Sequence, residues 1–349
     1  MNKSQPYYIK SHQHYSQKRI NTMIYYLFPR SSVFVNTNCK ITYSNQEPCT
    51  SFSHSLSKYK FELLNYAKTQ LPRWNENCIK YHHYSQLNSI SNIQRSSTFY
   101  ELLEIFRVLD ISFDLLNQIY VLHFYKDTFS FVHYFRNENN NEEPNILDKC
   151  FLFDKQYTLS DFPTKCNPMF NLIFCQAFKG NEYKNAIDLL LQLCISICTI
   201  KKKGTIIIKY GETYSKLSLE IMILFSFFFK KCVFIKPSAN MPTSSDKYFV
   251  CTNFIFENIG EKMYNTIFEM YKSVLCCNDG VYIESILTYQ IPLLVTHKME
   301  EINSIFGQTQ LEHIHHLMSN IEESNMNTYD TPMLCKQWCE KYKVPILSK

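Results

Sequence analysis

One stretch, from Gly204 to Cys251, constrains the fold of this chain most. It alternates short apolar runs typical of buried strands with one longer apolar run of helical length, and a loop with two prolines precedes its last run. The pattern predicts one helix, Leu217–Phe229. It also predicts three strands: Thr205–Ile208, Cys232–Ile235 and Tyr248–Cys251. Such alternation is typical of an α/β domain with a mostly parallel sheet. The short loop before the last strand predicts that this strand is antiparallel.

The alternation extends upstream and sets the domain limits. The apolar spacing predicts two further strands, Ile119–Phe124 and Asn171–Cys175. It also predicts four further helices: Lys58–Leu71, Ser97–Leu109, Phe129–Phe135 and Tyr183–Thr199. We therefore expect an α/β domain over residues 56–256, with its core at residues 97–252. Residues 74–84 and 136–148 are expected to be loops.

Both ends of the chain differ from this core. Residues 1–55 are polar and show no sustained apolar period, which predicts an irregular arm with one short strand at Ser32–Val35. Residues 257–349 are predicted to form a helical C-terminal extension, including a helix at Ser285–Leu287.

Composition narrows the classes of function. The chain has only 6 glycines in 349 residues, so it has little material for a glycine-rich phosphate or cofactor loop. Its net charge of +5 permits an RNA partner without requiring one. No apolar run reaches the length of roughly 20 residues that a membrane span needs.

The 14 cysteines show no spacing typical of a disulfide framework, and no signal peptide is visible. We therefore expect a reducing, intracellular location. The best candidate for a zinc site is Cys335 and Cys339, one helical turn apart, and its available partners would be His313, His315 and His316. Their spacing does not favour a metal site.

Four motifs follow one another in the central stretch: Gly204–Lys209 (GTIIIK), Ser215-Lys216, Lys236-Pro237 and Ser245–Cys251 (SDKYFVC). In this order they resemble the FtsJ-like family of RNA ribose 2′-O-methyltransferases. The similarity is greatest to the cap-specific branch of eukaryotes and large cytoplasmic DNA viruses. Weaker similarity covers Ser96–Phe106 and the residues 337–342. The resemblance implies a Rossmann-like methyltransferase sheet that binds S-adenosylmethionine over its strand ends.

The resemblance also implies four catalytic positions, which the family fills with Lys, Asp, Lys and Glu. Lys209 keeps the third of them. Asp246 stands at the fourth, one methylene shorter than glutamate. Glu101 replaces the first lysine and Gln176 replaces the aspartate. A carboxamide cannot act as a base, and Glu101 opposite Lys209 is expected to form an ordinary salt bridge.

The cofactor turn departs from the family as well. After the strand at Ile119–Phe124 the family has a Pro-Gly-Gly-Phe turn, but this chain continues with Tyr125, Lys126 and Asp127. Bulky side chains there would fill the space where the backbone must approach a nucleoside. The expected cofactor is therefore S-adenosylmethionine if the protein is active, and none otherwise.

Several residues keep two interpretations. Lys209 fits either an inherited catalytic lysine or an exposed strand end, and Asp246 fits either a site acid or a turn cap. Glu212 and Asp127 are acids that could take over a lost role. Five aromatic residues could stack on an RNA base or pack in the core: Trp74, Tyr81, Tyr84, Phe99 and Tyr100.

Two functions are therefore expected from the sequence. The first is a catalytically degenerate methyltransferase-fold protein that acts as a structural or RNA-binding component of a viral mRNA-capping or transcription apparatus in the cytoplasm or virion. The second is an active cap-specific 2′-O-methyltransferase that uses Lys209, with Asp246 in support. The glycine-free turn favours the first.

Overall fold

The structure is a computed structural model of the whole chain. It describes these residues: 23–30, 39–47, 52–82, 84–91, 95–112, 119–136, 148–150, 157–176, 180–278, 280–322 and 331–347. The predicted strand at Ser32–Val35 and most of the predicted loop 136–148 lie outside the described residues.

The described residues form nine strands and ten α-helices. The strands are β1 Ile24–Phe28, β2 Cys39–Ser44, β3 Val121–His123, β4 Asp148–Cys150, β5 Phe170–Gln176, β6 Ile200–Tyr210, β7 Phe229–Lys236, β8 Lys247–Phe254 and β9 Tyr282–Leu287. The helices are α1 His54–Gln70, α2 Trp74–Tyr81, α3 Leu87–Ile90, α4 Ser97–Val108, α5 Phe129–Phe135, α6 Glu182–Thr199, α7 Lys216–Phe228, α8 Glu261–Leu275, α9 Leu293–Glu322 and α10 Thr331–Tyr342.

Seven strands form one mixed sheet in the order β1-β7-β8-β6-β5-β3-β4. The pairs β4–β3, β3–β5 and β5–β6 are parallel, whereas β8 runs antiparallel to both β6 and β7. Strand β7 therefore has the direction of β3 to β6, and five of the seven strands run the same way. The expectation of a mostly parallel α/β sheet with an antiparallel last core strand is confirmed. Strands β2 and β9 form a separate antiparallel pair.

Helices cover both faces of the sheet, which explains why its central strands are apolar on both sides. Residues of α6, α7 and α8 pack on one face together with Ile206 and Ile208, and residues of α4, α5 and α10 pack on the other face together with Ile207. A third, smaller apolar cluster joins α1, α2 and the second half of α9.

The two chain ends belong to this architecture more closely than the sequence suggested. Within the segment predicted to be an irregular arm, β1 pairs with β7 at the sheet edge, and β2 pairs with β9. Both pairings join residues far apart in sequence, so they carry no local signal. The predicted helix at Ser285–Leu287 was wrong, since these residues belong to β9.

Two further local predictions were wrong. Residues 74–81 were expected to be a loop but form α2, whose buried residues Trp74, Cys78 and Tyr81 recur at helical spacing. Strand β4 was not predicted because it has only three residues, two of them charged, and it is held by its pairing with β3.

Candidate functional site

Three of the strands bring their ends together at one edge of the sheet. In register, Gln176 of β5 lies beside Lys209 of β6, and Lys209 lies beside Tyr248 of β8. Because side chains alternate along a strand, these three residues share a face with Phe174, Ile207 and Val250. That face is the one covered by α4, the helix that carries Glu101. Gln176 and Lys209 lie at the carboxyl ends of the parallel strands β5 and β6. In open α/β sheets, ligands bind at this edge.

Lys209 is tied to α4 by an ion pair. Its Nζ lies 3.0 Å from Glu101 Oε2, and the side chains of Lys209 and Glu101 are 14% and 3% exposed. The hydroxyl of Tyr248 donates to the same Glu101 oxygen at 2.5 Å. Glu101 thus accepts from both neighbours at once, and the Lys209 ammonium also lies 5.6 Å from the centre of the Tyr248 ring. This is the salt bridge that the sequence predicted.

The charges around Lys209 favour its protonated form. Burial acts to lower the pKa of Lys209, but the negative charges of Glu101, Asp246 and Asp127 and the hydrogen bond to Glu101 outweigh it, so the pKa is raised above the ordinary 10.5. A general base must lose its proton near the working pH. The structure therefore holds Lys209 as a cation at neutral pH.

Asp246 is positioned by the loop between β7 and β8. Its backbone N–H donates to Ser244 Oγ at 3.1 Å. Lys236, at the end of β7, donates from its buried Nζ to the carbonyl oxygens of Ser244 and Asp246 at 2.6 and 3.0 Å and to Asn240 Oδ1 at 3.1 Å. The Lys-Pro motif thus folds the loop that brings Asp246 within electrostatic reach of Lys209.

Gln176 occupies its expected position without an acid. The side-chain amide of Gln192 on α6 binds both backbone groups of Gln176: its Oε1 accepts from the N–H at 3.1 Å, and its Nε2 donates to the carbonyl at 2.9 Å. The strand end is fixed, and within its described residues β5 provides no carboxylate beside Lys209.

The turn after β3 is compact and filled with side chains. Tyr125 is buried and its hydroxyl has no hydrogen-bond partner among the described residues, and burial raises its pKa well above the ordinary value. Lys126 and Asp127 are exposed and begin a short 3₁₀ turn. The Thr128 hydroxyl closes this turn by donating to the Tyr125 carbonyl at 2.8 Å, and it contacts His123 Nδ1 at 2.7 Å.

The other predicted candidates lie away from this edge. Glu212 binds the ammonium of Lys60 at 3.1 Å, so it does not pair with Lys209. Four of the five aromatic candidates are buried in the core: Trp74, Tyr81, Phe99 and Tyr100. Cys335 and Cys339 are buried on α10 and form no disulfide. Among the described residues no group of three or more His, Cys, Asp or Glu is arranged to hold a metal ion.

Sequence reasoning missed two polar clusters that pack against the sheet. Asp148 of β4 accepts from Arg136 at 2.8 Å and lies 3.8 Å from His123 Nε2. Glu104 on α4 is fully buried and accepts from the loop after β7 and from α10. The sequence does contain a sign of the Glu104 cluster, since this charged residue stands at a position of α4 where helical spacing predicts an apolar residue.

Comparison with known proteins does not assign the chain to a family. No model of a known protein family matches the chain, and no curated protein matches it. The resemblance therefore depends on the motifs of the central stretch. Among the described residues, no helix has the length and apolarity that crossing a membrane requires.

Proposed function

We propose that this protein is a divergent member of the FtsJ-like cap-specific RNA 2′-O-methyltransferase family that has lost catalysis. It serves as a structural or RNA-binding component of an mRNA-capping or transcription apparatus. Two observations support the family proposal. The motifs Gly204–Lys209, Lys236-Pro237 and Ser245–Cys251 fall on adjacent strands, and the antiparallel β8 lies between β6 and β7.

One observation carries the proposed loss of catalysis: the family's activating lysine is held in a structural ion pair. Lys209 is paired with Glu101, which a tyrosine hydroxyl also binds, and the raised pKa of Lys209 keeps it charged. A protonated lysine cannot take a proton from a ribose hydroxyl, and the ion pair with Glu101 holds Lys209 toward α4. Gln176 offers no acid in its place.

The filled turn after β3 supports the same proposal for the cofactor. Phe124 and Tyr125 are buried where the family needs glycines, and the turn is closed by Thr128. Two cavities border described residues elsewhere, one beside Lys247 and one beside Lys272, and neither is lined by Phe124, Gln176 or Lys209. We therefore propose that S-adenosylmethionine does not bind.

The proposed partners follow from the family and from the charge of the chain. A mildly basic protein with an RNA-modifying ancestry fits capped mRNA or the proteins of a capping complex as its partners, in the host cytoplasm or a virion.

A second candidate function is an active cap-specific 2′-O-methyltransferase. The observation that favours it is Asp246, which stands at the family's fourth catalytic position and raises the pKa of Lys209 together with Asp127. In that case Lys209 would orient the ribose hydroxyl as a cation, and Asp246 would support it.

Calorimetric titration and a methyl-transfer assay separate the two candidates. We expect no binding heat with S-adenosylmethionine and no transfer of labelled methyl groups to capped RNA. An active capping methyltransferase assayed in parallel shows that both reagents work. Stoichiometric cofactor binding would contradict the degenerate assignment.

Variants then identify the lysine responsible for any activity that is found. Lys209→Ala would abolish methyl transfer by an active enzyme, whereas Lys202→Ala, at an exposed lysine paired with Glu257, would leave it unchanged. Equal transfer by the unaltered protein and Lys209→Ala would exclude Lys209 as the catalytic residue.

A further inference from the structure

A small polar cavity lies next to the candidate site, where α1 and α9 cover the ends of β6, β7 and β8. Three lysines from three different elements line it: Lys60 on α1, Lys236 at the end of β7 and Lys247 at the start of β8. Their exposed fractions are 3%, 8% and 3%. Three buried lysines around one cavity are uncommon, because burying an ammonium without a partner is costly.

The charges of this cavity do not balance. Of the residues that line it, Glu212 supplies the carboxylate, and both of its oxygens accept from Lys60 Nζ, at 3.1 and 3.2 Å. Lys236 donates to Asn240 and to two carbonyl oxygens, all of them neutral. Lys247 donates to the carbonyl of Gly211 and lies 5.9 Å from the centre of the Phe306 ring. Two ammonium groups thus line the cavity, and no carboxylate of the described residues is hydrogen-bonded to either.

Lys247 also has hydrogen-bonding capacity left. An ammonium has three N–H donors, and the described residues accept one of those of Lys247. The hydroxyls of Ser245 and Tyr214 line the same cavity. The site therefore offers the positive charge of two lysines and the unused donors of Lys247 beside one small space.

The size of the cavity selects the ligand. Its volume is about 10 Å³, which is the space for the centre of roughly one water-sized particle. Its wall is formed where α9 approaches α1 at Gly307, beside the flexible side chain of Leu56. A phosphate or a carboxylate is too large for this space. Among common anions a monoatomic halide comes nearest to this size, and it carries the missing negative charge.

We propose that this cavity binds a single halide ion, chloride under cellular conditions, held by a hydrogen bond from Lys247 and by the positive charge of Lys236. The ion joins α1, α9 and the loop that carries Asp246 at one point. Its binding does not depend on methyltransferase ancestry, so the site and the proposed function stand or fall separately.

Chloride binding is linked to the protonation of the two lysines. Burial lowers the pKa of Lys236 to about 7 and that of Lys247 to about 8, against an ordinary 10.5. Other charged groups act on the pair from each neighbouring element: Lys60 on α1, Glu101 on α4, Glu182 on α6, Glu212 after β6 and Asp246 before β8.

The sign of this linkage follows from the lowered values. The unfolded chain binds more protons than the folded, anion-free protein between about pH 7 and pH 10, so stability from these lysines rises with pH in that range. Chloride stabilises the charged lysines and removes part of that dependence. The stabilisation by chloride should therefore be largest below about pH 7 and decline as Lys236 and Lys247 deprotonate.

Thermal unfolding of the full chain in sodium chloride and in sodium gluconate at equal ionic strength tests the proposal. Gluconate is too large for the cavity. At about pH 6 we expect chloride to raise the Tm by about 1–3 °C over gluconate, with less than half of this gain at about pH 9. Lys247→Met should lose the gain, and Lys202→Met, at an exposed lysine, should keep it. Equal Tm values of the unaltered protein in both salts at the lower pH would overturn the proposal.

A direct measurement keeps the test independent of whether the Lys247→Met variant folds. Crystals of the unaltered protein grown in sodium bromide should show an anomalous scattering peak within hydrogen-bond distance of Lys247 Nζ. A peak there supports the halide site. Water density without an anomalous signal would overturn it.

Discussion

Replacing Glu104 by alanine should lower the free energy of unfolding by about 2–4 kcal/mol, because several buried donors lose their common acceptor. Glu104 is fully buried on α4. It accepts from the backbone N–H of Ser238 at 2.6 Å, from Ser238 Oγ at 2.5 Å and from the N–H of Ala239 at 3.2 Å. The indole Nε1 of Trp338 donates to it as well. One carboxylate thus connects α4, the loop after β7 and α10.

Urea unfolding followed by circular dichroism measures this loss. Glu104→Gln should give a smaller loss than Glu104→Ala, because glutamine keeps one acceptor oxygen. Some loss should remain, because the NH₂ group of glutamine lies against a donor. Glu340→Ala, at an exposed glutamate on α10, is the matched control and should change stability by less than about 0.5 kcal/mol. A Glu104→Ala variant as stable as this control would show that α10 does not depend on the carboxylate.

The parts of the fold that the sequence predicted are those with a strong local signal. Strands β5 to β8 are largely buried on both faces, so they contain continuous apolar runs. Helices α4, α6 and α7 show apolar residues at helical spacing. Strands β1 and β2 could not be placed, because each is stabilised by a partner strand far away in the sequence. In β1, Tyr25 and Leu27 are exposed, so apolar residues on both sides hide its alternation.

The candidate site was predictable to a similar degree. Motif order placed Lys209 and Gln176 on neighbouring strands, and register confirms that they are adjacent. The role of Tyr248 could not be read from the motif, because it depends on β8 running antiparallel beside β6. The cluster of Asp148, His123 and Arg136 joins residues separated by a polar segment, so no spacing rule indicates it.

A double-mutant cycle on Glu101 and Lys209 should show strong coupling in stability. Glu101→Met leaves the Lys209 ammonium, only 14% exposed, without its carboxylate, and we expect a loss of about 3–5 kcal/mol. Lys209→Met leaves Glu101 bonded to Tyr248, so the loss should be smaller, about 1–3 kcal/mol. The double variant should lose less than the sum of the two, by at least about 1 kcal/mol.

The exposed pair Lys202–Glu257 provides the matched control cycle. Its atoms lie 2.7 Å apart, but its side chains are 44% and 77% exposed, so its coupling should stay at about 0–1 kcal/mol.

The sign of the Lys209→Met effect separates a structural lysine from a catalytic one. Residues kept for catalysis commonly cost stability, so replacing them often stabilises a fold. A lysine retained for its ion pair must destabilise the fold when removed. Because the pKa of Lys209 is raised above 10.5, the coupling should be present from neutral pH up to about 10.5 and be lost as the pH rises through the raised pKa. A Lys209→Met variant more stable than the unaltered protein at neutral pH would contradict the structural role and favour the active methyltransferase.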